Sequence, residues 1–348
     1  MKAKVAAVRT SPETVLDDIQ RLMDLAGYRE ALPSGVPTLL KINISWQHYY
    51  PACSTSPWQL EGTIRALRRG GYADLIAAHN GTVVVSAREG EINNKHRLVT
   101  DAYGLQNCHL EEPPVRWIRY RPKAKMLVLD DIYPDGITIP DVFIGKNIVH
   151  LPTVKTHVFT GTTGAMKNAF GGLLNHNRHW THAVIHETLG DLLAIQKEIH
   201  PGIFAVMDGS IAGEGPGPRV MTPHVKNVLL ASADQTAIDA AAAKLMGFNP
   251  LQLRYIRLAH ERGLGIGHPR QIELVGDDVS GENWRFRGGQ TFASLGQWAI
   301  YHGPLKPLEK VLLRTKIAPW SFFASNLYFN HYWYRMHGQR RVRAALAS

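Results

Sequence analysis

The stretch LPTVKTHVFTGTTGAMKNAFGGLL, residues 151–174, carries Lys155, His157, Lys167 and Asn168 among threonines and glycines and contains no carboxylate. Ammonium groups, threonine hydroxyls and glycine backbone open to close approach together suit an anion such as phosphate or carboxylate. If TTGAMKNAF opens a helix, its first amides add to that preference, because a helix amino terminus presents unsatisfied N–H groups and the positive end of the dipole. Gly161, Thr162, Thr163 and Gly164 are then the backbone cradle, with Lys155, Lys167 and Asn168 around it. The spacing is not GxxxxGK[ST], because Asn168 follows Lys167, and GxGxxG is absent from the stretch. A strand-to-helix turn with solvated lysines is the plain structural alternative.

Four further groups could join this chemistry. His176, His179, His182 and His186 follow at spacings that suit a divalent metal if the segment is helical, although HExxH is missing and no cysteine is near. Histidine titrates near neutrality, so His157 or His182 is equally a candidate general acid or base. In MDGSIAGEGPGPRVM, Asp208 closes an apolar run, and Glu214 and Gly215 sit in a Gly/Pro-rich loop. Two carboxylates facing two lysines could orient a base or hold a hard cation such as Mg²⁺; a structural turn with an ion pair is the alternative. Lys41 and Asn43 end another apolar run. Asp239, on an alanine-rich helix, either reaches the site or pairs in the core.

Positioning such residues requires elements that converge. AKVAAVR, TLLKINIS, ADLIAAH, TVVVSA, KMLVLDD, NIVHLPTV, GIFAVMDGS and VKNVLLAS read as strands. VLDDIQRLMDLAG, the segment from Ser56-Pro57 through IRALRRGG, HAVIHETLGDLLAIQKEIH, DQTAIDAAAAKLMG and LQLRYIRLAHERG read as helices, four of them ending at glycine. The alternation predicts an α/β fold with a mixed or largely parallel sheet flanked by helices and with room for two intimate α/β lobes. Residues 1–318 form the α/β part, with a soft internal boundary near 113–122. Ligands of such sheets sit at the carboxyl ends of strands, where Lys41, Asn43, Lys155, His157 and Asp208 all fall.

The 348 residues suffice for a large core without disulfides, and the two cysteines, Cys53 and Cys108, form no CxxC. No signal peptide or spanning helix is evident, so a cytoplasmic location is expected. The net charge of +10 is concentrated at the end: residues 301–348 hold eight lysines and arginines against one acid, Glu309. The aromatic and basic tail, residues 319–348, suits either docking on the body through an aromatic helix face or peripheral contact with a membrane surface. A nearly neutral body disfavours nucleic acid.

Lys41-x-Asn43, AYGL at 102–105, LPTVKTH, GAMKNAFGG, MDG…GEGPGP and ASADQTAIDAAAAKLMG occur in an order and spacing that resemble the family known as domain of unknown function 362. The resemblance covers roughly residues 38–250. It implies that Lys155, His157, Lys167, Asn168, Asp208, Glu214, Gly215, Pro216 and Asp239 occupy the pattern's polar or loop positions and line a site. Many members carry ferredoxin-type clusters; with two cysteines no iron–sulfur cluster is expected here. The expectation is an enzyme that binds a small anionic substrate or cofactor and carries out proton-transfer or redox chemistry. A non-catalytic binding module held at a membrane by its tail is the alternative.

Overall fold

The computed structural model describes residues 2–82, 84–314 and 323–347. The strands are β1 (Ala3–Arg9), β2 (Thr38–Ile42), β3 (Leu75–His79), β4 (Gln106–His109), β5 (Trp117–Tyr120), β6 (Ile137–Pro140), β7 (Asn147–Leu151), β8 (Thr153–His157), β9 (Gly161–Thr162), β10 (Ile203–Glu214), β11 (Thr222–Ser232) and β12 (Ile272–Gly276). Ten of them make one mixed sheet in the order β12-β1-β11-β10-β7-β2-β3-β4, with β8 on β10 and β9 on β8. β10, β7, β2, β3 and β4 run parallel, and β11 is antiparallel to both β10 and β1. β5 and β6 form a separate hairpin.

Both faces of the sheet are covered, so β2, β3 and β7 are buried throughout. Leu40, Ile42, Val149 and Val206 face the helices Val15–Ala26 and Pro57–Arg69. The alternate residues Leu39, Ala78 and Ile148 face Gly164–Leu173 and Ile185–Ile199. Helix Gln235–Met246 packs through Ala237, Ile238 and Ala241 against Val5, Ala205 and Leu230. The expected stops are present at Gly27 and Gly247, both left-handed, and Ser56 forms a capping box with Gln59.

Two expected strands are absent. Residues 125–128 of KMLVLDD are irregular, and Leu129–Ile132 is a helical turn. The amides of Leu127, Val128 and Leu129 donate to the buried Asp191 carboxylate at 2.8, 3.0 and 3.3 Å, so a side chain takes the place of a sheet neighbour. TVVVSA makes a tight turn with a bridge from Thr82 to Val85, and Ser86 caps the helix Ala87–Asn93; Val83 lies outside the described residues. β10 runs on to Glu214, past the expected end near Asp208, through a bulge between Gly209 and Ile211.

The carboxyl-terminal segment is helical, a wide-turned helix Leu327–Gly338 continued by Gln339–Ala347, and it docks on the body. Trp333 and Tyr334 lie 6.0 and 5.1 Å from the Trp46 ring, Tyr334 stacks on His48 at 4.2 Å, and the Trp46 indole N–H donates to Asn330. Trp320 and Phe322 of the tail lie outside the described residues.

Helix Gly164–Leu173 depends on one buried carboxylate. Asp239, from the neighbouring alanine-rich helix, accepts the Ala165 and Met166 amides at 2.5 and 3.1 Å. Burial drives its pKa up to about 8, although both amides pull the other way. Gly164 has φ +72°, and a Cβ there would lie 2.3 Å from the Asp239 carboxyl carbon. Gly164→Ala should therefore destabilise the protein by about 2 kcal/mol or more, combining left-handed strain with the clash. Asp239→Ala should cost about 3 kcal/mol, because two buried amides lose their acceptor. Urea unfolding checks both, and midpoints unchanged in either variant would contradict this packing.

Candidate functional site

The carboxyl ends of β2 and β3 and the β7–β8 crossing bring buried polar groups together. Lys41 turns its ammonium to Asn80 Oδ1 at 2.7 Å and to the Ile42 carbonyl at 2.9 Å. Asn43, one residue past β2, accepts from Lys155 Nζ at 3.1 Å and donates to Asn168 Oδ1 at 3.3 Å. Asn168 donates in turn to the Lys41 carbonyl at 2.9 Å. Lys155 also donates to the Cys53 carbonyl at 2.5 Å and to Thr153 Oγ1 at 2.9 Å. Both ammonium groups are thus held by neutral oxygens. Burial lowers Lys41 to about 7, helped by the charge of Arg178, and lowers Lys155 to about 8.

This layer floors a cavity of about 540 Å³. Asn43 and Asn168 reach its surface, whereas Lys41 and Lys155 stay behind it. Lys167 projects into the space, with Nζ 5.1 Å from the centre of the Phe170 ring, and has no hydrogen-bond or ion-pair partner among the described residues. Burial lowers it to about 7, and the charges of Lys155 and Arg178 push the same way. Arg178, also buried, donates to the carbonyls of Gly81 and Asn175. Arg219 donates to the Ser45 carbonyl at 3.1 Å and lies over the Phe329 ring. The described residues lining the cavity include these three cations and no aspartate or glutamate.

Two histidines add directional groups. His157 Nδ1 accepts the amides of Phe159 and Thr160 at 3.1 and 3.4 Å, which assigns its proton to Nε2. His182 Nδ1 lies 3.1 Å from the His179 carbonyl, which assigns the proton there and leaves Nε2 as a hydrogen-bond acceptor. The His182 ring stacks on Tyr301 and meets Phe170 edge-on. Burial and the Lys167 charge hold both rings neutral, His182 down to about 3 and His157 well below its ordinary value. The remaining wall is largely apolar, from Ile44, Phe159, Phe170, Phe292, Ile300 and Tyr328.

Other residues singled out in the sequence are placed elsewhere. Gly161, Thr162, Thr163 and Gly164 do not line the cavity: Thr162 bonds the Tyr255 hydroxyl, the Thr163 amide donates to the Lys155 carbonyl, and the first helical amides go to Asp239. The acceptor that satisfies this helix terminus, the Asp239 carboxyl, comes from the chain itself. Asp208 accepts from Ser56 Oγ, the Trp58 indole and the Ser210 amide at 2.6, 3.0 and 2.7 Å, beside a separate small pocket near Tyr49. Glu214 pairs with His224 at 2.9 Å and accepts the Arg287 amide. The Gly215 carbonyl accepts from Thr156 Oγ1, and the adjoining Pro216–Pro218 forms cavity wall. A Cβ at Gly217 would lie 1.9 Å from the Thr156 carbonyl oxygen, so this loop can sit against β8 only as glycine. His179 and His182 line the cavity, and His186 faces an adjoining smaller pocket. Among the described residues no group of three or more His, Cys, Asp or Glu side chains could hold a metal ion. Cys53 and Cys108 are free, buried thiols.

Sequence reasoning missed Arg178, Arg219 and Asn80. Arg178 sits inside the histidine run, but burial of an arginine leaves no local mark in a polar segment.

The chain has a relative in Synechocystis sp. (strain ATCC 27184 / PCC 6803 / Kazusa), the Thylakoid-associated protein sll1697, at 28% identity over 151 residues. The match takes in 40% of this chain and 44% of the relative, so the chain spans less than half of that protein's length. No solved structure shows a significant match. The sequence profile of the Domain of unknown function (DUF362) matches residues 38–244, which contain the Asn43–Lys155–Asn168 floor together with Lys167, Arg178 and the cavity histidines His157, His179 and His182. On that match, covering more than half of its length, the chain belongs to the DUF362 family.

Proposed function

We propose that the cavity binds a small substrate or cofactor that joins a carboxylate or phosphate to an apolar body, and that the protein is an enzyme of proton transfer on that ligand. The observation that carries the reading is the cation-lined, carboxylate-free cavity, in which Lys167 has no counter-charge from the described residues. A partly buried ammonium without a counter-charge is stabilised by an incoming anion. The apolar wall would take the rest of the molecule, and Asn43 and Asn168 would orient it. The His157 Nε2–H can donate a hydrogen bond to the ligand and His182 Nε2 can accept one, with both rings neutral. Lys167, lowered to about 7, can also exchange a proton near neutral pH.

A second reading, a non-catalytic binding module at a membrane, draws support from the name of the Synechocystis relative, a thylakoid-associated protein. It uses the same cavity. Against the tail as its anchor stands the packing of Trp333 and Tyr334 on Trp46 and His48. Catalysed exchange of a carbon-bound ligand proton into heavy water, lost in Lys167→Met, would separate the enzyme from the module.

Calorimetry with acetate, octanoate, benzoate and inorganic phosphate tests the anion reading. Octanoate or benzoate should bind at least tenfold more tightly than acetate, since each buried CH₂ contributes about 0.8 kcal/mol. Lys167→Met should abolish that binding while keeping or raising the melting temperature, because it removes a charge that folding desolvates. Unfolding of this variant would mark Lys167 as structural, and unchanged affinity would contradict the proposal.

The pH dependence follows from the sign of the shift. The anion needs the ammonium form, which is fully present below about 7 and is lost as pH rises through that value. Affinity should be flat below neutrality and then weaken by up to tenfold per pH unit, levelling off above the raised pKa of the complex. Constant affinity from pH 6 to pH 9, measured by the same calorimetry, would contradict a role for Lys167 charge.

A further inference from the structure

Three lysines gather at the floor of the cavity, and they are held differently. Lys41 Nζ is tied to Asn80 Oδ1 and the Ile42 carbonyl. Lys155 Nζ is tied to Asn43, Cys53 and Thr153 oxygens at 3.1, 2.5 and 2.9 Å. Both stay behind the floor, so neither nitrogen faces a ligand. Lys167 lines the cavity itself, and its Nζ meets the face of the Phe170 ring at 5.1 Å. Among the described residues no oxygen accepts from it. Its nitrogen is therefore the one of the three that can reach a bound molecule.

The groups around this nitrogen suit bond formation as well as charge pairing. The Phe170 ring that carries Lys167 on its face meets the His182 ring edge-on at 5.4 Å. Phe159 lies 5.7 Å from the His182 ring and 6.0 Å from the His157 ring. One run of rings thus sets the lysine beside a hydrogen-bond donor, His157 Nε2–H, and an acceptor, His182 Nε2. Arg178 lines the same cavity, and its charge reaches Lys167. It gives N–H groups to the Gly81 and Asn175 carbonyls, and a guanidinium has more donors than those. Burial and the charges of Lys155 and Arg178 lower Lys167 to about 7, so near neutral pH much of it carries a free lone pair. A lysine shielded from water beside other cations is an activated nucleophile. With cations clustered at the Lys167 end and apolar wall beyond it, a ligand's carboxylate and its electrophilic carbon belong at the same end.

We propose that Lys167 is a nucleophile that forms an imine with the carbonyl carbon of a 2-oxo acid bearing an apolar substituent. The proposal deepens the anion reading and rests on it, because the carboxylate of the 2-oxo acid is the anion. The Nζ lone pair forms the N–C bond, the carbonyl π electrons move to oxygen, and the C–O bond then breaks with loss of water. Of the three protons of the ammonium form, two leave in that water and one stays on the iminium nitrogen, so atoms and charge balance without a further reactant. His157 Nε2–H donates a hydrogen bond to the carbonyl oxygen as charge builds on it, and His182 Nε2 accepts one from the carbinolamine hydroxyl. Arg178 holds the carboxylate. The iminium draws electrons from the adjoining carbon and loosens its C–H bond, which supplies the carbon-bound proton for the proposed proton transfer.

Reductive trapping of the full-length protein with 2-oxo-4-phenylbutanoate and cyanoborohydride, followed by peptide mass mapping, tests it. A stable adduct should form on Lys167 at least tenfold faster than on any other lysine, and benzoate should slow its formation. The neutral ketone 4-phenylbutan-2-one, with a methyl group in place of the carboxylate, should react at least tenfold more slowly. Lys167→Arg, which keeps the charge and removes the amine, should lose the adduct. The mapping is made on the unaltered protein, so it decides the matter even if this variant fails to fold. No adduct on Lys167, an adduct on Lys41 or Lys155 in its place, or equal trapping of the neutral ketone would overturn the proposal. Benzoate binding in calorimetry without a trapped adduct would overturn the imine alone and leave the anion reading standing. Absence of both would overturn both.

Discussion

Lysine ammonium groups buried without a carboxylate are the constraint on which this site rests. Lys41 and Lys155 are held by amide, hydroxyl and carbonyl oxygens at the carboxyl edge of the sheet. Neutral oxygens satisfy hydrogen bonds but do not cancel charge, so the pKa values of both fall. The surrounding field stays positive. That field adds to burial in lowering Lys167 and His157, and Lys167 in turn lowers His182. On the proposed reading, a cavity prepared in this way would favour an anion before any ligand contact is made.

The carboxylates nearest in the sequence pattern are committed elsewhere. Asp239 holds the amino terminus of the Gly164–Leu173 helix, Asp208 is bound by Ser56, Trp58 and Ser210, and Glu214 pairs with His224. The Asp239 cap also aims the helix so that Lys167 and Asn168 face the cavity. Stability and the proposed ligand binding therefore pull on the same segment in opposite directions. The cap and the Gly164 turn fix the helix, while Lys167 leaves an unpaired, desolvated charge on it.

Much of this was legible in the sequence, for physical reasons. Apolar runs bounded by glycine or serine caps gave most elements and the α/β class, because a parallel sheet covered on both faces requires continuous apolar strands. The rule that ligands gather at strand carboxyl ends placed Lys41, Asn43, Lys155 and His157 at one edge of the sheet. What failed to show was tertiary partnership. KMLVLDD has a strand's composition, but Asp191, more than 60 residues away, takes its amides. The glycine–threonine stretch has an anion cradle's composition, but Asp239 already fills it. Arg178 and Arg219 carry no periodic signature, and only the fold turns them inward.

The central claim is that Lys167 stands unpaired in the cavity and receives an anion. Its most direct test is the titration of the lysine side chains by NMR, with Lys167→Met assigning the resonance. The account predicts a lysine that titrates near 7 in the free protein and moves upward when octanoate is added. A Lys167 resonance that titrates near the ordinary 10.5 and ignores carboxylates would contradict it.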